Sequence, residues 1–403
     1  MGEGAADVAV VGLGAMGSMA LWRLAARGAR VIGYDRFSPP HDRGATHGES
    51  RMLRSAYHEG AFYVPLVGEA IDLWRQLELE TRAELLTLTG AQLLGPPDGE
   101  LVAGALASAR EHRLEHRLLD EPELRRRQPG LRLGPDDVAL WEARAGLLRP
   151  EACVAAALAR AGELGAEVHR NTTVVGVSPD GEGVVVHSRP SAQPAAALRA
   201  TGEAASRVTA RHARRAVVSV GPWLPQFPGL GTPPLWVERQ VMGWFAVDDP
   251  ATFAPERFCV WAHQGTSGPL TYGFPTLDGA TVKAGVHHGG QATTADTVDR
   301  TVGEADLAAL RALAMTRLRG VRPEPVRARV CLYTNTTDEH FLVGPAPGCD
   351  GAILLGGFSG HGFKFASVIG DIAADLALTG STLRQIAAFA TNRSDVAVRG
   401  EFR

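Results

Sequence analysis

An α/β fold, in which a Rossmann-type dinucleotide-binding domain is interrupted by an antiparallel sheet, is predicted by three stretches of this 403-residue chain. Residues 8–35, VAVVGLGAMGSMALWRLAARGARVIGYD, read as a strand, a glycine turn, a helix and a second strand ending in an acid. Residues 235–290 switch to alternating, aromatic-rich segments (VERQVMGWFAV, RFCVWAH, LTYGFPT, TVKAGVHH), the pattern of antiparallel strands. Near the C-terminus AILLGGFSG and the helix predicted from Phe363 to Leu378 repeat the first pattern, so the chain closes the domain it began.

The first stretch is a dinucleotide cradle. Gly12 permits the tight turn, Gly14 lets backbone amides approach a pyrophosphate beside Met16, and Gly17 lets the helix pack close to the strand. The unpaired N–H groups and dipole of the helix N-terminus favour the phosphates. Asp35, at the end of the second strand, is placed to accept hydrogen bonds from ribose hydroxyls. A lone GxGxxG can be an ordinary turn, but strand, motif, helix and acid together specify a nucleotide site; they do not choose between NAD and FAD.

Between these anchors, SPPHDRGATHGESRMLRSAYHEG (38–60) reads as a polar loop lining the site, followed by a helix from Tyr63 that presents Val67, Ala70, Ile71, Trp74 and Leu77 on one face. Residues 98–130 read as charged surface helices. Pro150 suits a first helical turn, and Gly165 a helix end before a strand at Val168. Two hairpin strands follow, joined by an Ala-rich insertion at 189–206, and Ala216–Val220 reads as a further parallel strand.

Composition narrows the function. Forty-one Lys and Arg against 44 Asp and Glu give a net charge of −3, which argues against nucleic-acid and membrane partners. No apolar run approaches the ~20 residues of a spanning helix, and the N-terminus moves from Glu3 directly into a strand, so a cytoplasmic protein is expected. Cys153, Cys259, Cys331 and Cys349 form no CxxC pair, so neither structural zinc nor a disulfide framework is expected.

Four segments place reactive side chains in turns or at strand ends. Arg51 and Arg54, three apart, would share a face if the segment were helical and could clamp an anion; two surface arginines read equally well. On KAGVHH, strand alternation sends Lys283, Gly285 and His287 to one face and His288 to the other. A buried lysine needs a partner or a purpose, whereas a strand histidine is often structural. Cys331 and Tyr333 alternate onto one face, and Cys331 alone reads equally as a small buried hydrophobe. Gly357, Gly360 and Gly362 expose backbone amides at a helix start with His361 and Lys364 on the rim, or simply feed a packed helix.

In this order and at these intervals the four segments resemble the monomeric sarcosine oxidase and N-methyltryptophan oxidase family of flavoprotein amine oxidases. The likeness runs from Val8 to about Asn392, and its most specific pieces are HGESR (47–51) with Tyr57, YVPL (63–66), YGFP (272–275), CLYTNT (331–336), DEHF (338–341) and GFSGHGFKF (357–365). It implies FAD in a glutathione reductase-like domain, covalently linked through Cys331 to the 8α carbon. It also implies that His47, Ser50 and Arg51 lie by the flavin ring, that Lys283 promotes reaction with oxygen, and that Arg54 and Lys364 grip a substrate carboxylate. Tyr272, His287 and Tyr333 would line the space above the flavin. The implied reaction is hydride transfer from the C–H beside an amine nitrogen to FAD, imine hydrolysis, and reduction of O2 to H2O2 by a monomeric enzyme.

The sequence departs from the sarcosine members at Thr46, Glu49 and Ser50, and at His288, Gly289 and Gly290, where the small glycines suggest a pocket open to a larger amine. The expected division assigns 1–90, 146–222 and 335–403 to the FAD-binding domain, and 91–145 with 223–334 to the substrate domain. Alternatives at this point are the same chemistry on a cyclic imino acid or a biosynthetic amine, an NAD-dependent dehydrogenase, and a nucleotide-binding module without catalysis.

Overall fold

The computed structural model describes residues 5–134, 136–181, 183–191 and 208–393. Its first sheet has eight strands. The parallel part runs Glu167–His169, Val31–Tyr34, Ala6–Val11, Thr209–Val218 and Ala352–Gly356 across the sheet. Apolar Val8–Val11 are buried on both faces, as a central parallel strand requires. Thr172–Asp180 and Gly183–Pro190 form a hairpin that continues antiparallel onto Thr209–Val218. Residues 192–206 of the expected insertion lie outside the described residues.

The helix Ala15–Ala26 packs between Pro150–Glu163 and Ala366–Thr379. The helix Tyr63–Thr81 buries the predicted stripe of Val67, Ala70, Ile71, Trp74 and Leu77. Burying each large side chain contributes on the order of 2–3 kcal/mol. Trp74 also has a positional role, because its Nε1 donates to Lys364 O at 2.9 Å and fixes the turn that carries Lys364.

The second sheet has nine strands and is antiparallel except where Ala91–Gly95 runs parallel to Val260–His263. Its central ladder pairs Trp236–Val247 with both Thr281–His287 and Val321–Asn335. That register sets Gln240 opposite Cys331, and Trp244 opposite Lys283.

Two readings need correction. Within 98–130, the segment His116–Leu119 is a strand on the edge of the second sheet, not part of a helix; it is four residues long with Arg117 and Leu118 both exposed, so no alternation marks it in the sequence. Arg51–Leu53 is also a strand, paired with Gly146–Leu148. Arg51 and Arg54 therefore do not share a helical face, although both border the same cavity.

Candidate active site

The glycine turn meets the geometric demands of a dinucleotide cradle. Gly12 has φ +84°, and a Cβ there would lie 2.4 Å from Ser219 O; a Cβ on Gly17 would lie 1.8 Å from Gly12 O. Only glycine permits both approaches. Gly14 caps the helix with no side chain of its own; Thr46 Oγ1 accepts from Ala15 N at 3.4 Å, and the next amides of that N-terminus stay open to an anion. Asp35 is buried and already accepts from Leu13 N and Phe37 N, both at 2.8 Å. It thus fixes the turn as well as facing the cleft.

That cleft, about 340 Å³, runs from Gly12, Gly14 and Met16 past Asp35 and Arg36 to Gly357, Gly360 and Gly362. A second cavity of about 100 Å³ adjoins it and shares Arg51, Tyr333, Gly360 and Phe363 with its wall. The two spaces thus lie on opposite sides of one shared wall.

The second cavity gathers Arg54, Glu59, Tyr272, Lys283, His287, Cys331, Tyr333 and Lys364. Lys283 Nζ donates to Gly48 O at 2.8 Å and Ser50 O at 2.6 Å, and lies 4.2 Å above the Phe274 ring. Burial, then the neighbouring Arg51 guanidinium, pushes its pKa well below the usual lysine range. The 48–50 turn is itself held by Glu151, whose carboxylate accepts from Gly48 N and Glu49 N. Arg51 donates to Ala45 O and Ser50 O and lies 3.6 Å from Cys331 Sγ.

Arg54 and Lys364 converge on one ring. The Arg54 guanidinium lies 4.1 Å, and Lys364 Nζ 5.0 Å, from the Tyr57 centroid. Lys364 donates to Tyr57 Oη at 3.1 Å and His361 O at 2.7 Å, while Arg54 is paired with Glu59. Burial, then Arg54, depresses the Lys364 pKa well below its ordinary value. His361 and Lys364 are buried, not on a rim: His361 Nδ1 shares a hydrogen bond with Tyr57 Oη at 2.6 Å.

His287 Nδ1 is 3.2 Å from Tyr333 Oη. Burial, then nearby His288, lowers its pKa well below the usual imidazole value. Burial also keeps the Tyr272 and Tyr333 phenols neutral, raising Tyr272 to about 12. His47 is buried with both ring nitrogens unpartnered and borders neither cavity, so the structure does not bring it to the group. His288 departs from the predicted opposite face, because its φ of +64° turns the chain and sets its ring 4.3 Å from that of His287. Gly290 is small because a Cβ would lie 1.7 Å from Arg239 O. Since residues 288–290 do not border the cavity, they do not enlarge it.

The acids around these cations are what sequence reasoning missed. Glu59 follows Arg54 in the same polar loop, and that proximity was the available signal. Glu142, Glu151 and Glu238 arrive from distant segments. Glu142 is buried, and its carboxylate accepts from Ser55 N and Ala56 N at 3.0–3.1 Å, anchoring the loop that carries Arg54 and Tyr57. Burial raises its pKa to about 7 despite those bonds. Between the ordinary value of 4.5 and about 7 the folded state therefore holds a proton that the unfolded chain releases, so this group makes stability fall as pH rises. In Glu142→Gln this contribution is absent. The melting temperature of the variant relative to the unmodified protein is expected to climb between pH 5 and pH 8, whatever fixed offset the new amide brings.

Fold and site together define a flavin-type oxidoreductase, with a dinucleotide cleft abutting a cation-rich cavity. A family model described as FAD dependent oxidoreductase matches residues 7–376, and the chain belongs to that family. It is 40% identical to the monomeric sarcosine oxidase of Streptomyces avermitilis, over 96% of this chain and 97% of that one. It is 33% identical to the N-methyl-L-tryptophan oxidase of Salmonella arizonae, over 92% and 94%. Among solved structures, NikD, an amino acid oxidase essential for nikkomycin biosynthesis, aligns with TM-score 0.81 at 25% identity, covering 96% and 97%. Glycine oxidase from Geobacillus kaustophilus shares the fold, with TM-score 0.76 at 20% identity over 96% and 98%. The cofactor is therefore FAD, and the NAD-dependent alternative falls. The glycine approaches and the open helix N-terminus fit that group. No described helix is long and apolar enough to cross a membrane.

Proposed function

We propose that this chain is an FAD-dependent oxidase of secondary amines or N-methyl amino acids that bear a carboxylate. The observation that carries the reading is the convergence of Arg54 and Lys364 on Tyr57 inside a cavity that shares a wall with the dinucleotide cleft. Gly12, Gly14, Met16, Gly17 and Asp35 would hold the dinucleotide, while Ser50, Arg51, Gly357, Gly360 and Gly362 would border its ring. When bound, FAD supplies a hydride acceptor and a route for electrons to oxygen. Arg54 and Lys364 orient the substrate through its carboxylate. Neutral His287, with Tyr272 and Tyr333, faces the amine. These buried cations disfavour an ammonium beside them, which promotes the neutral amine that can give up hydride. Lys283 stabilises negative charge developing on oxygen.

Cys331 is the proposed point of covalent attachment, with Arg51 beside its sulfur. The domain division stated above is supported by the strands, since those of each sheet fall within one set of ranges except at residue 335. Four buried free cysteines suit a reducing cytoplasm, and a relative named for its monomeric state supports a monomer.

Acid precipitation of the purified holoprotein tests the reading. A yellow pellet is expected, with yellow moving to the supernatant in Cys331→Ser. Release from the unmodified protein would remove the link, and absence of yellow would remove the flavin. A peroxide-coupled panel of N-methyl amino acids, cyclic imino acids and amines lacking a carboxylate then sets the substrate. A preference for cyclic imino acids would move the assignment to that class, and turnover of none would favour a nucleotide-binding module.

A further inference from the structure

Beside the cavity, and outside its lining, lies a second charge cluster. Glu238 is buried on Trp236–Val247, and its carboxylate accepts from His288 Nδ1 at 3.0 Å, Gly290 N at 2.7 Å and Asn335 Nδ2 at 2.9 Å. Three donors fix this acid in place. His288 in turn packs against His287 at 4.3 Å between ring centroids and edge-on to Tyr333 at 5.4 Å. Two imidazoles so close and so shielded do not readily both hold a charge. The bonded carboxylate decides between them.

We propose that His288, paired with Glu238, is a positioning residue whose cation adds to burial in keeping His287 neutral at the substrate cavity. The inference rests on the reading of that cavity as the amine site. Most charged neighbours favour the same assignment, and Glu59 alone pulls on both rings. His288 is faced by Glu238 from its strand, Glu339 from the loop before Leu342–Pro345, and Glu59 from the loop after Arg54. Burial opposes its charge, but the Glu238 bond and field outweigh burial and raise its pKa. Burial is the first cause of the lowered His287 pKa, the positive charge of His288 and of Arg54 adds to it, and Glu59 opposes it; His361, whose own pKa burial lowers to about 3, faces it as a neutral ring, and Tyr333 holds its Nδ1. A neutral His287 offers the incoming amine a hydrogen-bonding nitrogen without adding a second imidazolium to the cavity.

The test is His288→Asn, chosen because asparagine tolerates the left-handed φ at this position. Side-chain nitrogen NMR of the resting holoprotein, with His287 assigned by its loss in His287→Gln, reads protonation without turnover. His287 is expected to stay neutral well below the ordinary imidazole midpoint in the unmodified protein. In His288→Asn its midpoint is expected to rise by about one pH unit or more, as removal of a cation at this range predicts. The acid limb of kcat/KM should move upward with it, and His288→Lys, which restores a cation, should reverse both shifts. A protonated His287 in the unmodified protein, or an unmoved midpoint in a folded His288→Asn protein, would overturn the proposal. If His288→Asn does not fold, Glu238→Gln supplies the same reading, because His288 loses its carboxylate and its own midpoint must fall; an unmoved His288 midpoint there sinks the idea. Because the spectra are taken at rest, they stand or fall separately from the amine-oxidase assignment.

Discussion

Replacing Lys364 with methionine is expected to lower kcat/KM for a carboxylate-bearing secondary amine by about 100-fold, the loss of roughly 3 kcal/mol that follows truncation of one partner in a buried, hydrogen-bonded charge contact. For the matched amine lacking the carboxylate, the change should stay within about threefold, because a uniform loss of packing would affect both. Methionine keeps the length and apolar stem of lysine, and the turn remains fixed by the Trp74 bond to the residue 364 carbonyl. Arg54 is the less clean target. Its guanidinium is paired with Glu59, so removing it leaves a buried carboxylate uncompensated and confuses binding with stability. The same pairing gives a second expectation. An incoming carboxylate competes with Glu59 for Arg54, so Glu59→Gln should lower KM for the carboxylate substrate if the altered loop holds its shape. Steady-state kinetics on the paired substrates checks both. Equal losses for the acid and the amine in Lys364→Met would remove Lys364 from carboxylate recognition.

The parts of this site that are local in sequence were legible, and the parts assembled by folding were not. Gly12, Gly14, Gly17 and Asp35 lie within one strand-turn-helix-strand unit, where backbone constraints alone select the residue types. Alternation correctly set Lys283 and His287 toward one cavity, because residues 281–287 form a regular strand. It failed at His288, where a left-handed φ ends the strand, and the turn residues Gly289 and Gly290 were the warning. A shared face for Arg51 and Arg54 depended on a helix, whereas Arg51 opens a three-residue strand, too short to declare its own period, and Arg54 follows it. Glu142, Glu151 and Glu238 had no sequence signal as site acids. Each reaches its cation or loop only through tertiary pairing, and a lone Glu on a strand or in a helical first turn ordinarily reads as surface charge. What joins them is a physical need visible only in three dimensions: a cavity holding Arg51, Arg54, Lys283 and Lys364 requires fixed carboxylates and carbonyls around it.

Lys283→Met is expected to slow the reaction of the reduced enzyme with oxygen by about 100- to 1,000-fold, the scale for removing one preorganised charge from a site where negative charge develops. The reductive half-reaction with amine should change by less than about tenfold, since the proposed Arg54 and Lys364 clamp is untouched. Stopped-flow measurement separates the two halves, with anaerobic mixing for one and oxygen mixing for the other. The resting geometry explains why the ammonium is available for this task. Gly48 O and Ser50 O accept two of its protons, and the Phe274 face covers one side, so its position is set before oxygen arrives. In the variant those carbonyls lose a donor, but Glu151 still ties the turn through Gly48 N and Glu49 N, which keeps the fold. The depressed pKa adds a pH signature. As pH rises through that lowered value the charge is lost, so the oxygen reaction of the unmodified enzyme should decline with pH below the ordinary lysine range, while the variant shows no such limb. An unaltered oxygen rate in Lys283→Met would assign the work to another cation, and Arg51, whose guanidinium lies 3.6 Å from Cys331 Sγ, is the next one at hand.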